Sequence, residues 1–216
     1  MLNVLNLYAG VGGNRKLWTD VDVTAIESDP KIASVYQKLF PDDTVFIEDA
    51  HQFLLETHDL VDFVWSSPPC QSHSRMMKAT RHDLRRYPDM ALYEEILFLQ
   101  NFFKGGWVVE NVKPYYEPLI KPTAIIGRHY FWSNFPITAD DVKRPPGFIN
   151  KSTVAGKLEL MDWLDIHYEE KLYYKGNHCP AQVLRNCVHP LIGKQILENY
   201  RVGMLCGAGS RCDRVN

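Results

Sequence analysis

A cysteine that follows two prolines is the residue in this sequence best suited to covalent chemistry. Cys70 comes directly after Pro68 and Pro69, and Gln71 and Ser72 follow it. Two successive prolines restrict the backbone before the thiol, and a thiol becomes a good nucleophile when nearby positive charge raises its thiolate fraction. A buried, inert cysteine in a turn would have the same local sequence. Cys70 is therefore a candidate nucleophile that needs support from other residues.

Glu110 and Arg128 are candidates for the rest of a reactive site. Glu110 leaves a predicted buried strand that can lie beside the strand before Cys70. A carboxylic acid there can donate a proton to a ring nitrogen, and an arginine can bind a carbonyl oxygen of the same ring. A nucleophile, an acid and an oxygen-binding cation together predict activation of a pyrimidine base.

A glycine-rich turn after the first predicted strand indicates a cofactor site. A dinucleotide fingerprint would need a third glycine at Arg15, so NAD and FAD are disfavoured. Glu27 ends the second predicted strand, where an acid can bind a ribose hydroxyl pair, and Asp49 follows the third, within reach of an adenine amino group. These features predict an adenosyl cofactor without a pyrophosphate. The turn consists of Tyr8, Ala9, Gly10, Val11, Gly12 and Gly13.

Alternating strands and helices must position these residues. Apolar runs and amphipathic stretches follow one another through the first two-thirds of the chain, which is typical of a doubly wound α/β domain. Strands are predicted at 3–8, 21–27, 44–47, 60–65 and 106–109, and helices at 14–19, 30–40, 51–57 and 90–103.

The remainder of the chain has a different pattern. Residues 123–135 are aromatic and β-rich, and 140–151 form a polar connection. Short helices are predicted at 158–164 and 190–200, the second of which closes the core. Residues 203–216 show little periodicity, so they are expected to be mobile or packed only against a partner.

Composition excludes several classes of protein. Hydrophobic residues make up 45% of the chain, charged residues 23%, and the net charge is -2, all ordinary for a soluble domain. No apolar stretch approaches the roughly 20 residues of a membrane span, and the N-terminus has no basic signal-peptide region, so a cytoplasmic protein is predicted. The five cysteines have no CxxC spacing, and the spacings of His178, Cys179, Cys206 and Cys212 match no usual zinc site, so neither a disulfide framework nor a metal is predicted.

Taken in order, the motifs resemble those of C5-cytosine DNA methyltransferases from about residue 3 to residue 200. The segments 68–71 and 110–112 match the nucleophile and acid motifs without change, and 130–134 is similar to the vertebrate de novo branch. The closing motif is represented by 185–190. In the cofactor turn, Asn6 replaces the usual acid and Tyr8 the usual phenylalanine.

The resemblance implies a Rossmann-like, S-adenosylmethionine-dependent methyltransferase fold with a very small recognition appendage. It implies that Cys70 attacks C6 of a cytosine held outside the DNA stack, that Glu110 holds N3 and that Arg128 holds O2. C5 then takes the methyl group of S-adenosylmethionine. Further cofactor contacts are implied at Pro68, Leu92, Asn186 and Cys187.

The resemblance also divides the chain. It implies a catalytic and cofactor-binding core at 1–136, a reduced recognition segment with a ninth-motif region at 137–180, a closing helix at 181–202 and a tail at 203–216. Only about 137–151 remains for target recognition. We therefore expect a short or relaxed recognition sequence, or help from a homodimer or a second subunit, in an enzyme of the restriction–modification kind from a bacterial or phage-infected cell.

A cluster of cations after Cys70 predicts contacts with the phosphates of double-stranded DNA. A solvated helix face is the alternative. The predicted DNA-binding residues are Gln71, Ser72, Arg75, Lys78, Arg81, Arg85 and Arg86.

Two other functions stay open. One branch of the family methylates a tRNA cytosine, but its Cys-Phe-Thr signature is absent here. A catalytically silent, cofactor-binding subunit is the second alternative, which the intact Cys70 and Glu110 disfavour. An adenine-N6 enzyme would need an aromatic residue in place of Cys70.

Overall fold

The computed structural model describes residues 1–74, 87–148, 153–173 and 179–209, with side chains up to residue 205. These residues form one mixed sheet with helices on both faces. None of the helices in these four ranges is both long enough and apolar enough to cross a membrane.

The sheet has five parallel strands followed by an antiparallel pair. The strands are β1 Leu2–Leu7, β2 Val21–Ile26, β3 Thr44–Phe46, β4 Phe63–Ser66, β5 Gly106–Val112, β6 Ala124–Ile126 and β7 His129–Ser133. Their order in the sheet is β3-β2-β1-β4-β5-β7-β6, and β7 pairs antiparallel to both β5 and β6. The order reverses at β1, so the switch point of the sheet lies between β1 and β4, where ligands of such folds bind.

Helices cover both faces of this sheet. The helices are α1 Pro30–Leu39, α2 Ala50–Thr57, α3 Ala91–Phe102, α4 Val154–Leu164, α5 Gln182–Arg185 and α6 Pro190–Gly209. Helices α2 and α3 pack on the side of Leu5 and Val64, whereas α6 packs on the side of Val4 and Trp65. Successive strand residues point to opposite faces, which explains why both faces are apolar. The predicted doubly wound, Rossmann-like fold is confirmed.

Acidic caps start the two helices nearest the predicted cofactor site. The Asp29 side chain accepts hydrogen bonds from the backbone N–H groups of Lys31 and Ile32 at the start of α1. Asp49 accepts one from Gln52 at 2.9 Å at the start of α2. Each cap satisfies donors that the first helical turn leaves unpaired.

Two predicted elements are corrected by the structure. Residues 14–19 form turns rather than a helix: the N–H groups of Arg15 and Lys16 bond back to the Gly12 carbonyl and that of Trp18 to the Arg15 carbonyl, without a repeating helical series. Helix α6 continues through residues 203–209, which were expected to be an irregular tail. A glycine inside a helix costs only about 1 kcal/mol, so Gly203 does not end it. Residues 210–216 lie outside the described residues.

The segment predicted to read the DNA sequence packs along α6. Over 137–148 it has no strand or α-helix; Ile137, Ala139 and Val142 contact the core beneath α6, whereas Phe148 packs with α4. Residues 149–151 of the predicted segment lie outside the described residues. The N–H groups of Thr138 and Asp140 bond to the side chains of Asn199, at 2.5 Å, and Gln195, at 3.0 Å. The boundaries proposed at 136, 180 and 202 stay predictions.

Candidate active site

A cavity of about 590 Å³ opens at the carboxyl ends of the parallel strands. Its walls come from the segments that follow β1, β2, β3 and β4, from the end of β5 and from the segment before α6. This volume is typical of a site for a small organic ligand.

The glycine turn forms one wall and supports another. Gly10 has φ +58°, and a Cβ on it would meet no atom within 4 Å. Gly12 has φ +77° and packs against the Phe40 ring. A Cβ on Gly13 would lie 2.6 Å from Cys187 Cβ and from the Val188 carbonyl oxygen. The turn therefore needs glycine for its conformation at Gly10 and Gly12, and for close packing at Gly13.

Acidic side chains line the cavity and are fixed by backbone donors. Glu27 is buried, and its two carboxylate oxygens accept hydrogen bonds from Gly10 N–H at 3.0 Å and Asp29 N–H at 2.9 Å. Asp29, Asp49 and Asp89 also line the cavity. Such a wall favours a ligand that carries hydroxyl or amino donors and positive charge.

Most of the predicted cofactor residues lie around this cavity. Leu92 instead packs in the core under α3, Val11 is fully buried beside α1, and Gly12 lies behind the wall against Phe40. Those that line the cavity are Tyr8, Ala9, Gly10, Gly13, Glu27, Asp49, Pro68, Asn186 and Cys187.

A buried acid behind Tyr8 was not predicted from the sequence. Glu95 on α3 is fully buried and accepts hydrogen bonds from the hydroxyls of Tyr8 and Ser66, the latter at 2.5 Å. His51 Nδ1 lies 3.5 Å from the same carboxylate, which raises the pKa of His51. Tyr8 and His51 both line the cavity, so Glu95 positions two of its walls. A glutamate in the apolar pattern of a helix was the available signal.

Cys70 lies in the same cavity. Its carbonyl oxygen accepts hydrogen bonds from the N–H groups of His73 and Ser74, so the segment after the two prolines turns sharply. Burial raises the pKa of the Cys70 thiol to about 11, the Glu110 charge adds to this, and Arg128 opposes it. The expected gain in thiolate from positive charge is therefore outweighed by burial, and the thiol is neutral at pH 7.

Glu110 reaches the cavity from the end of β5, where Asn111 joins it to the cysteine segment. The Asn111 side-chain amide donates to the Pro68 carbonyl at 3.0 Å, and its oxygen accepts from Val112 N–H at 2.9 Å. The two strand ends are therefore tied together, and Cys70 and Glu110 line one cavity. Asn111 belongs to the predicted acid motif at 110–112, but its role in positioning the two strand ends was not predicted from the sequence.

Arg128 does not line the cavity in this structure. Its Nε donates to His129 Nε2 at 3.0 Å, its Nη2 donates to the Arg185 carbonyl, and its guanidinium lies 5.0 Å from the centre of the Phe148 ring. The side chain next to Glu110 is His129, whose Nδ1 lies 2.5 Å from Glu110 Oε1. A role for Arg128 at the base oxygen stays a prediction.

The base of the segment after Cys70 is firmly held. Gln71 lines the cavity, and Ser72 Oγ accepts a hydrogen bond from Asp89 N–H at 3.0 Å. The buried His73 bonds through Nδ1 to the Tyr116 hydroxyl at 2.6 Å. The cations predicted to contact DNA lie outside the described residues; they are Arg75, Lys78, Arg81, Arg85 and Arg86.

Several solved structures share parts of this architecture. A mutant form of DNMT2 from Spodoptera frugiperda is 25% identical, with a TM-score of 0.37, over 52% of this chain and 36% of that chain. A putative DNA modification methyltransferase from an Escherichia coli prophage is 22% identical, with a TM-score of 0.37, over 54% and 34%. The Entamoeba histolytica methyltransferase EhMeth is 12% identical, with a TM-score of 0.40, over 71% and 60%. The chain spans about a third of the length of the first two, and TM-scores this low add no argument about function.

Sequence comparison is more decisive. None of the curated proteins compared with the chain matches it. The model of the C-5 cytosine-specific DNA methylase family matches residues 2–116, more than half of the chain. This range contains the glycine turn, Glu27, Cys70 and Glu110, all of which line the cavity. The chain belongs to the family of C-5 cytosine-specific DNA methylases.

Proposed function

We propose that this protein methylates C5 of cytosine in DNA. The observation that carries the proposal is one cavity with two kinds of wall. The glycine turn and Glu27 form one side, whereas Cys70 and Glu110 form another. A cofactor held by the first pair therefore lies next to the groups that can activate a pyrimidine.

The cavity fits the methyl donor of the family, S-adenosylmethionine. Gly10 leaves open space at the wall, Glu27 offers carboxylate oxygens to hydroxyl donors, and Asp49 lines the cavity as a candidate acceptor for an amino group. The acidic wall suits the positive charge of a sulfonium. When bound, S-adenosylmethionine supplies an electrophilic methyl group.

Cys70 and Glu110 divide the activation of the base between them. Cys70 Sγ gives its proton to water and bonds to C6 of a cytosine that has left the base stack. Glu110 hydrogen-bonds N3, so the electron pair displaced from the C5–C6 bond makes C5 nucleophilic. After C5 is methylated, it loses its proton to a bound water, the C5–C6 double bond re-forms and the Cys70–C6 bond breaks; the released thiolate takes up a proton from water.

We also propose how the protein holds DNA. The cations between Arg75 and Arg86 contact phosphates, which gives affinity without sequence information. The segment 137–151 supplies few side chains for reading base edges, so a context of about two to four base pairs is expected, with a homodimer or helper subunit for a longer one.

Labelled-methyl transfer tests this function directly. The full chain is incubated with S-adenosylmethionine and either double-stranded DNA or tRNA, and bisulfite sequencing then locates methylated cytosines. We expect incorporation into DNA at C5 within a short context. Incorporation into tRNA alone would replace the DNA assignment with the RNA alternative.

Cys70→Ala is the matched control. It should reduce methyl incorporation to background while leaving the dissociation constant for S-adenosylmethionine nearly unchanged, because the thiol acts on the base. DNA containing 5-fluorocytosine should trap the wild-type protein as a denaturation-resistant adduct, since fluorine cannot leave C5 as a proton does. Methyl transfer by Cys70→Ala, or the absence of an adduct with an active enzyme, would contradict the mechanism.

A further inference from the structure

The antiparallel pairing of β5 with β7 places a histidine beside the candidate acid. Glu110 lies opposite Phe131, so His129, two residues away along β7, is its diagonal neighbour on the same face of the sheet. Diagonal pairs are within reach of long side chains. Glu110 and His129 are both buried, and Oε1 lies 2.5 Å from Nδ1.

The hydrogen-bond partners of His129 determine its tautomer. A guanidinium is always a donor, so the 3.0 Å contact from Arg128 Nε makes His129 Nε2 an acceptor. In the neutral imidazole, the proton then lies on Nδ1, which donates to Glu110 Oε1. Arg128 is itself held by the Arg185 carbonyl and by the Phe148 ring. The three side chains thus form a directional chain from Arg128 through His129 to Glu110.

We propose that His129 is a positioning residue for Glu110, an inference that rests on the proposed function. The Nδ1–H donor occupies Oε1, so a proton carried by Glu110 lies on Oε2, the oxygen left for N3 of the base. The proton passes from Oε2 to N3 when Cys70 bonds to C6 and returns when that bond breaks. Arg128 acts one step further away, by fixing the tautomer of His129.

A purely structural role for His129 would give different experimental results from a positioning role. The ring also stacks near Phe131, with centroids 6.2 Å apart, so its removal could simply loosen β7. A structural defect would lower the melting temperature and weaken cofactor binding regardless of Glu110. A positioning defect would appear in the reaction of the base and would depend on Glu110.

Two substitutions at position 129 separate the two ring nitrogens. The amide nitrogen of His129→Asn takes the place of Nδ1 and can still donate to Glu110. The amide of His129→Gln reaches the place of Nε2 and leaves Glu110 without its donor. His167→Gln, at an exposed histidine, controls for the change of residue type.

The readout is exchange of the C5 hydrogen of cytosine for solvent deuterium in DNA, without S-adenosylmethionine. This exchange needs the Cys70–C6 bond but no methyl donor, and Glu110 accelerates it, so a slow residual rate should remain measurable in Glu110→Gln. We expect His129→Gln to slow it by about 10- to 100-fold, within the range that a positioned general acid contributes, and His129→Asn by only a few-fold. The dissociation constant for S-adenosylmethionine and the melting temperature should change little in either variant.

A double-mutant cycle completes the test. In a Glu110→Gln background, His129→Gln should cause little further loss, because the two residues act through one step. Equal exchange rates for His129→Asn and His129→Gln, or losses that multiply fully in the double variant, would overturn the role of His129 but leave the proposed function standing. If His129→Gln fails to fold, slow exchange by a folded His129→Asn overturns it equally. Absence of exchange in the wild-type protein would overturn the proposed function as well.

Discussion

At the scale of single residues, burial and charge act on the Cys70 thiol in opposite directions. Burial raises its pKa to about 11, and the positive charge of Arg128 only partly offsets this. The thiol is therefore neutral at pH 7, and we expect it to react slowly with alkylating agents at that pH because the thiolate is the reactive form. Attack on C6 must be coupled to the removal of the thiol proton.

We predict that alkylation of Cys70 by iodoacetamide depends steeply on pH. The rate should rise about tenfold per pH unit from pH 7 and level off only near pH 11, because the thiolate is the reactive form. Mass spectrometry of the peptide containing Cys70 measures the rate, and the same peptide in denatured chain should level off near an ordinary thiol pKa of about 8.5. A plateau near pH 8 in the folded protein would contradict this.

The raised pKa of the Cys70 thiol also makes the free energy of unfolding depend on pH. A folded-state pKa above the unfolded value favours the protonated thiol in the fold. The contribution is fully present below the unfolded pKa, about 8.5, and is lost as the pH rises toward about 11. Cys70→Ala should therefore weaken the decline of unfolding free energy over this alkaline range.

Some site residues could be predicted because strand ends carry much of the information. Cys70, Glu27 and Glu110 each follow or end an apolar strand, and parallel strands bring their carboxyl ends to one edge. His129 and Glu95 could not be placed this way. Contact between His129 and Glu110 depends on the register of an antiparallel pair, and burial of Glu95 depends on which side of α3 faces the sheet.

At the scale of elements, the turn after β1 packs against the segment before α6. Gly13 contacts Cys187 and Val188, whereas Gly10 faces open space. The motif that appeared in the sequence as one cofactor-binding unit thus has two separate tasks. The segment predicted as a helix at 14–19 forms turns, and its Arg15 side chain forms an ion pair with Asp43 at 2.8 Å.

Alanine at these two glycines should separate the two tasks. Gly13→Ala places a Cβ 2.6 Å from a backbone oxygen, so it should lower the unfolding free energy by about 1–3 kcal/mol or more. Gly10→Ala should cost about 1–2 kcal/mol through its left-handed conformation alone, while its methyl group narrows the cavity and weakens cofactor binding. Denaturant unfolding and calorimetry measure both effects. Equal stability losses with unchanged cofactor affinity would show that the division of tasks is wrong.

At the scale of the whole molecule, bulk charge gives no sign of DNA binding. The net charge is -2, so any attraction for phosphate must come from a local cluster of cations. The sequence offers such a cluster between Cys70 and Glu110, and the structure holds the two flanking ends together through Ser72 and Asp89. Composition alone could not show this, because it averages over the chain.

Neutralising Arg81, Arg85 and Arg86 together should weaken binding to all DNA sequences alike. Each lost phosphate contact lowers the salt slope by about one, so the logarithmic salt dependence should flatten by up to about three units. Binding titrations over a range of salt concentrations on several duplexes provide the measurement. A changed choice of methylated cytosines at unchanged affinity would instead make these residues part of sequence reading.

Helix α6 returns to the first residues of the chain. The Trp18 indole donates to the Gly193 carbonyl at 3.0 Å, a Cβ on Gly193 would lie 2.2 Å from the Asn14 carbonyl oxygen, and Arg201 bonds the carbonyl of Asp20 at 3.2 Å. During synthesis, residues 14–20 therefore lack these partners until α6 has been made, after every strand of the sheet. Contacts this distant in sequence slow folding, although the strands that flank β1 are complete by residue 66. A truncated chain that ends before α6 would leave the apolar residues that α6 covers, among them Val4, Trp18 and Trp65, open to misassociation.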